Sequence, residues 1–290
     1  MLELKNRHFF PTHLSCFDGV AGGLERGTTW WLLAQLPLIQ EGAWLAYDLA
    51  LNTAIAHGGR LGVFCCYDDP KSVEQELLLA VRNPSRVYGS DEDPGRLKKI
   101  VSVFDARNVS GDGLTKMIES AAKKHKLSLV VLESFRTIGR QNRAIQWNCI
   151  SKVEKLSRDL DFCQIVVPIG GTYAILEADD PQKKPQADKE WSALGAIKEK
   201  ADRWMSMTLL SERKSFHMVR GLRWEGSTFG KPVRSIAQGK MDLTIGGKEQ
   251  KHPVTLHLEH HSLLIGSTPG PEGAWNETPR LVCTFDCLGQ

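Results

Sequence analysis

Apolar positions along this chain fall into short continuous runs, separated by stretches in which apolar residues recur at helical spacing. Thr28–Ala34 reads Thr-Thr-Trp-Trp-Leu-Leu-Ala, a run that predicts a strand buried on both faces. Arg60–Tyr67, Lys99–Asp105, Leu127–Phe135 and Phe162–Ile169 repeat the pattern, with Leu127–Phe135 the strongest. Between them, Ala43–Ala56 carries Leu45, Leu49, Ala50 and Ile55 at helical spacing and stops at Gly58-Gly59, as a left-handed cap would. Asp69-Pro70 predicts an N-cap with proline in the first turn of a helix over Lys71–Val81. Gly113–Lys126 is amphipathic and ends in Lys123-Lys124-His125-Lys126, which suits a helix C-terminus. Asn142–Leu160 predicts a long helix and Ala187–Ala201 a polar one; Asn83–Leu97 and Gly170–Gln186 predict loops.

The pattern then changes. Trp204–Leu210 and Ser215–Arg223 alternate like the two strands of a hairpin, Gly226–Gly247 is glycine-rich and loop-like, and Val254–Ile265 is a late strand. Ser267–Pro279 is a loose stretch before a last candidate strand, Leu281–Phe285. Strands alternating with helices of this length imply βαβ units. The expected fold is α/β: a mainly parallel sheet flanked by helices, with an antiparallel C-terminal extension. One domain is expected over residues 1–265, with a C-terminal tail over 266–290.

Composition narrows the class only slightly. The 290 residues are 41% hydrophobic and 24% charged, with a net charge of +3, as expected of a globular chain with a sizeable core. A charge so small does not by itself argue for nucleic acid. No apolar run is long enough to span a bilayer, and the N-terminal stretch does not resemble a signal peptide, so a cytoplasmic protein without a membrane partner is expected. The seven cysteines contain no Cys-x-x-Cys pair, which predicts reduced, inert thiols. Cys283 and Cys287 lack two further clear ligands for a metal.

The chemistry centres on Gly22-Gly23-Leu24-Glu25-Arg26-Gly27 and the run through Asn52. Strand, loop and helix follow in the layout that nucleotide-binding proteins use to hold phosphates at a helix N-terminus. Such a loop should carry Gly-x-x-x-x-Gly-Lys-Ser/Thr. This chain has Leu36-Pro37-Leu38-Ile39-Gln40-Glu41-Gly42-Ala43, with the loop expected over Gln35–Gly42.

Several stretches, in order, resemble the RecA-type motor domain of DnaB-like replicative helicases. Pro11-Thr12-x-Leu14-x-x-Phe17-Asp18-x-x-x-Gly22-Gly23-Leu24-x-x-Gly27 is similar to that family's opening motif, and Ala46-x-x-Leu49-Ala50-Leu51-Asn52-x-Ala54 to the helix after its phosphate loop. Leu129–Phe135 sits where the second nucleotide motif ends. Asn142-Arg143 with Ile150-Ser151-Lys152 and Leu160 resembles the following helix, and Gly195-Ala196-Ile197-Lys198-Glu199-Lys200-Ala201-Asp202 a later segment. The likeness covers roughly residues 10–235, a length suited to a single domain.

The departures fall on the chemistry. The lysine that should neutralise terminal phosphates and the hydroxyl that should hold Mg²⁺ are missing at Gln40, Glu41, Gly42 and Ala43, the vestigial phosphate-loop region. Tyr67 stands where the resemblance implies a catalytic glutamate, and Asp68 could substitute only with a one-residue shift. Glu133 replaces a metal-positioning aspartate, and Ile169–Gly170 replace a glutamine sensor. The basic finger is reduced to Arg220-Gly221-Leu222-Arg223, with Arg223 the best candidate.

Each candidate has a plainer reading. Glu133 would be a surface carboxylate, Asp68-Asp69 a turn and helix cap, Arg220 and Arg223 ordinary surface or intersubunit arginines, and Trp30 and Trp31 core residues. His257 alternates with Leu256 and Leu258, so a solvated strand face explains it better than zinc. The expectation is a pseudo-ATPase that assembles with itself or with a related RecA-fold subunit as a scaffold or regulator in DNA replication or related DNA transactions, with single-stranded DNA as a further candidate partner. No cofactor is expected there. The alternatives are an active ATP-dependent DNA helicase using ATP and Mg²⁺, with Asp68, Glu133 and Arg223 catalytic, or a non-catalytic ring subunit outside replication.

Overall fold

In the computed structural model the apolar runs become the centre of one nine-stranded sheet. The structure describes residues 9–12, 14–34, 39–66, 68–81, 98–109, 111–135, 143–168, 197–217, 234–248, 252–265 and 280–288. The strands are β1 (Phe9–Phe10), β2 (Leu24–Glu25), β3 (Thr29–Ala34), β4 (Leu61–Cys65), β5 (Val101–Asp105), β6 (Leu129–Phe135), β7 (Cys163–Pro168), β8 (Arg203–His217), β9 (Arg234–Gly247), β10 (Val254–Ile265) and β11 (Arg280–Cys287). The helices are α1 (Ser15–Ala21), α2 (Ile39–His57), α3 (Pro70–Val81), α4 (Gly111–His125) and α5 (Arg143–Leu160).

The sheet order is β11-β10-β9-β8-β3-β7-β6-β4-β5. The six strands from β8 to β5 run parallel, while β9, β10 and β11 add antiparallel. Parallel strands with helical crossovers need cover on both faces, and the alternation along each strand supplies two cores. One face carries Trp30, Leu32, Val63, Val131, Ile165 and Met205 beneath α2 and α3. The other carries Trp31, Leu33, Phe64, Val130, Leu132 and Val166 beneath α4 and α5. The expected α/β architecture with an antiparallel C-terminal extension is therefore present.

Two expectations are corrected in the second half. The hairpin expected from Trp204–Leu210 and Ser215–Arg223 is one strand, β8, whose register with β9 shifts between Leu209 and Ser211. The glycine-rich stretch expected as loop contains β9. Its glycines serve close approach: a Cβ on Gly246 would lie 2.2 Å from the Trp204 ring. The last candidate strand, Leu281–Phe285, is present as β11 and pairs along β10 from Leu258 to Ile265. In the first half, α2 begins at Ile39, so Gln40, Glu41 and Gly42 lie in a helical turn rather than in the expected loop.

The Pro11–Gly27 motif has a structural rationale. Thr12 N–H and Oγ1–H both donate to the Asp18 carboxylate, at 2.9 and 2.8 Å, which ties the lead-in to α1. Gly22 caps α1 at φ 77°, and Gly23 follows at φ 104°. A side chain on Gly23 would put its Cβ 2.4 Å from the Phe10 carbonyl oxygen, where β1 pairs with β2. Phe17 and Leu24 are fully buried behind these turns. Trp30 and Trp31 are core residues, as their plainer reading held.

Candidate functional site

In an open parallel sheet, ligands bind beyond the carboxyl ends of the strands, where crossovers leave to opposite faces. Here the crossover after β3 leaves through α2 on one face, and the crossovers after β5 and β6 leave through α4 and α5 on the other. The carboxyl ends of β3, β4 and β6 therefore mark the candidate site, with the first turn of α2 beside them.

The join between β3 and α2 is tight. Gly42 is buried against the end of β3, where an added Cβ would lie 2.6 Å from the Ala34 Cβ. Helix α2 reads Ile-Gln-Glu-Gly-Ala-Trp-Leu-Ala-Tyr-Asp-Leu-Ala-Leu-Asn-Thr-Ala-Ile-Ala-His, without a single lysine or arginine. Its charged positions are Glu41 and Asp48, and its first hydroxyl of the Ser/Thr type is Thr53, far from the N-terminus. Gln40, Glu41 and Ala43 thus share the helix, though the side chains of Gln40 and Glu41 lie outside the described residues.

Glu133 is not a surface carboxylate. It is 0% exposed, on the α2 side of β6 and in register with Cys65 of β4. The Cys66 N–H donates to the Glu133 carbonyl at 3.3 Å. Burial first, and the nearby Glu133 carboxylate second, push the Cys65 thiol up and hold Cys66 at about 12. Thiols held so high are not nucleophiles at neutral pH. The middle of the site thus holds a buried carboxylate beside two inert thiols.

Beyond β4, Asp68 is exposed and Asp69 caps α3. Asp69 Oδ2 accepts from the Ser72 N–H at 3.1 Å, with Pro70 at the first helical position, as the turn-and-cap reading holds. A cation that sequence reasoning missed stands at this edge. Arg107 bridges two connections, with Nη2 2.7 Å from Asp105 Oδ2 and Nη1 3.4 Å from Asp69 Oδ1. Its hydrogen bonds hold the Asp105 carboxyl down at about 2. The guanidinium is thereby committed to carboxylates that belong to the same chain. An Asp-Ala-Arg triplet ending a strand was its only sequence signal.

The opposite face is held by a polar ladder. Thr29 and Ser157 hydroxyls meet at 2.9 Å, and Trp31 Nε1–H donates to Glu154 Oε1 at 3.3 Å. The same carboxylate oxygen accepts from the Asp202 N–H at 3.1 Å. Asp202 in turn pairs with Arg158 and Lys248. This joins the described part of the Gly195–Asp202 motif to α5; Ile197 and Ala201 are fully buried there. Burial, then the charge of Asp202, raises the Glu154 carboxyl above the ordinary glutamate value.

His257 is exposed, and its Nδ1 lies 2.7 Å from Asp242 Oδ1, on the outward side of β10 expected for it. Among the described residues no group of three metal-ligating side chains forms. The reduced-thiol expectation is corrected at two positions: Cys16 and Cys287 form a disulfide. The pairing could not be read from residues so far apart in sequence. Tyr67, Ile169–Gly170, Arg220 and Arg223 lie outside the described residues. No described helix is long and apolar enough to cross a membrane.

No family description matches the chain, and no curated protein does. Among solved structures, it is similar to a KaiC-like protein from the hyperthermophilic archaeon Pyrococcus horikoshii OT3. The two are 13% identical and superpose with a TM-score of 0.51, over 96% of this chain and 99% of the other. Identity so low speaks to fold alone. The fold is that of a RecA-like α/β domain.

Proposed function

We propose that this RecA-like domain has given up nucleotide chemistry and works as an assembly or scaffold subunit, joined to copies of itself or to an active relative, in DNA transactions. One observation carries the reading: α2, the helix that would hold the phosphates, has neither lysine nor arginine, and places Glu41 in its first turn. Phosphoryl transfer relies on positioned cations far more than on covalent chemistry by the protein. Loss of one preorganised charge-stabilising group typically costs roughly 3 kcal/mol of transition-state stabilisation. Here the lysine and the metal-holding hydroxyl are missing together, and Arg107 is bound by its own carboxylates.

The role in DNA transactions rests on the motif order shared with DnaB-like helicases. The described motifs have structural duties: Thr12–Asp18 and Gly22-Gly23 fasten α1, and Asp202 fastens the segment before β8. A sequence that keeps these while losing the phosphate-binding groups favours shape over turnover.

Nucleotide-dependent melting is the direct test. A site that binds ligand raises the melting temperature by mass action. The expected result is no shift with millimolar ATP and Mg²⁺, together with an oligomeric mass in solution that ignores nucleotide. A clear upward shift, with ATP turnover abolished in Glu133→Ala, would instead establish an active motor in which the buried carboxylate at the end of β6 still serves the metal.

A further inference from the structure

The described cysteines divide by environment. Cys65, Cys66 and Cys163 are free and buried, and burial holds Cys66 and Cys163 at about 12. Cys16 and Cys287 are bonded to each other and only partly buried. Cys16 lies in the first turn of α1 and Cys287 ends β11, 271 positions later, with their Cα atoms 6.0 Å apart. The Cys16 N–H donates to the Cys287 sulfur at 3.1 Å, and Ser15 Oγ lies 3.7 Å from it.

The two partners are anchored unequally. Helix α1 is held by the Thr12–Asp18 contacts and by fully buried Phe17. Among the described strands β11 is the outermost and pairs with β10 alone. Its further described anchors are the contacts of β11 with α2 and α3, Phe285 in the core, and the Leu288 N–H donating to the His257 carbonyl at 2.9 Å. Edge strands are the first parts of a sheet to open, because one row of their backbone groups has no ladder to hold it.

We infer that the Cys16–Cys287 pair is a reversible thiol–disulfide latch, which fastens the edge strand β11 to α1 when oxidised and lets it open when reduced. The reductant is a dithiol. One of its thiolates attacks a sulfur of the pair and forms a mixed disulfide, expelling the other cysteine as a thiolate. The second thiol of the reductant then closes onto the first and releases the remaining cysteine. The dithiol loses two electrons and two protons, and Cys16 and Cys287 each end as a thiol. Opening of β11 uncovers the Leu258–Ile265 side of β10.

The test compares the full-length chain, purified without reductant, with the same protein after dithiothreitol and with Cys287→Ser. Peptide mass mapping should find Cys16 and Cys287 linked before treatment and separate after it. Amide hydrogen exchange should then show protection of 280–288 lost in both the reduced protein and the variant, with protection across β4 and β6 unchanged. Absence of the linked peptide, even after mild oxidation, would overturn the inference. So would protection of 280–288 that survives reduction, or a loss spread over the whole sheet, which would make the link a general staple instead of a latch.

Discussion

Gly42 offers a sharp test of why the first turn of α2 carries a glycine. In a phosphate loop, a glycine at such a place lets backbone approach the ligand. Here the ideal Cβ would stand 2.6 Å from the Ala34 Cβ, with the Met207 sulfur at 3.8 Å. Carbon atoms prefer about 3.5–4.0 Å, so Gly42→Ala overfills the joint by roughly 1 Å. Both carbons sit directly on backbone, and no side-chain torsion can relieve the contact. Helix α2 must therefore lift from β3, and its buried residues Leu45, Ala46 and Leu49 lift with it. Overpacking of this kind costs about 2–3 kcal/mol, against a gain of about 1 kcal/mol from alanine's helix preference. The net expectation is destabilisation by about 1–2 kcal/mol. Gly19, inside α1, is the control, because nothing lies within 4 Å of its ideal Cβ. There Gly19→Ala should stabilise by about 0.5–1 kcal/mol. Urea melts of both variants measure the difference through their midpoints. Equal or greater stability of Gly42→Ala would refute the packing rationale and reopen a ligand-binding purpose for that glycine.

Two further outcomes follow from buried polar groups. The folded protein holds a proton on Glu154 more tightly than the unfolded chain does, so wild-type stability drains away as pH rises from the ordinary carboxylate value through the raised one. Glu154→Gln keeps an acceptor for Trp31 and Asp202 and removes the charge, so its urea midpoint should change less between pH 4 and pH 8; parallel pH profiles would contradict the cause assigned. Gln164 is fully buried in β7, and both its amide atoms lack a hydrogen-bond partner among the described residues. Gln164→Met should therefore stabilise by about 1–2 kcal/mol in the same melts, and a loss of stability would mean that the amide is satisfied.

Sequence carried the parallel half of the fold well, because strands buried on both faces show as unbroken apolar runs. Thr29–Ala34 and Leu129–Phe135 stand out for that reason. Helix α1 escaped notice because its seven residues lie between proline and paired glycines that signal turns. Strand β9 was hidden by glycines whose purpose is room for the Trp204 ring and for the Asp202 carbonyl, which only a tertiary neighbour can reveal. At the site, the missing lysine was plain in the sequence. The burial of Glu133 was not, since a carboxylate at a strand end looks the same whether water or α2 lies above it. Arg107 was equally silent, because its partner Asp69 comes from another connection.

The bond between Cys16 and Cys287 also decides how the domain bears load. Tension entering through the chain before Cys16 and leaving through the chain after Cys287 passes across one covalent link instead of through the sheet. While the link stands, the nine-stranded sheet is mechanically bypassed, and the domain behaves as an inextensible bead on whatever pulls it. Once the link is cut, the same force peels β11 from β10 one hydrogen bond at a time, beginning at the Cys287 end.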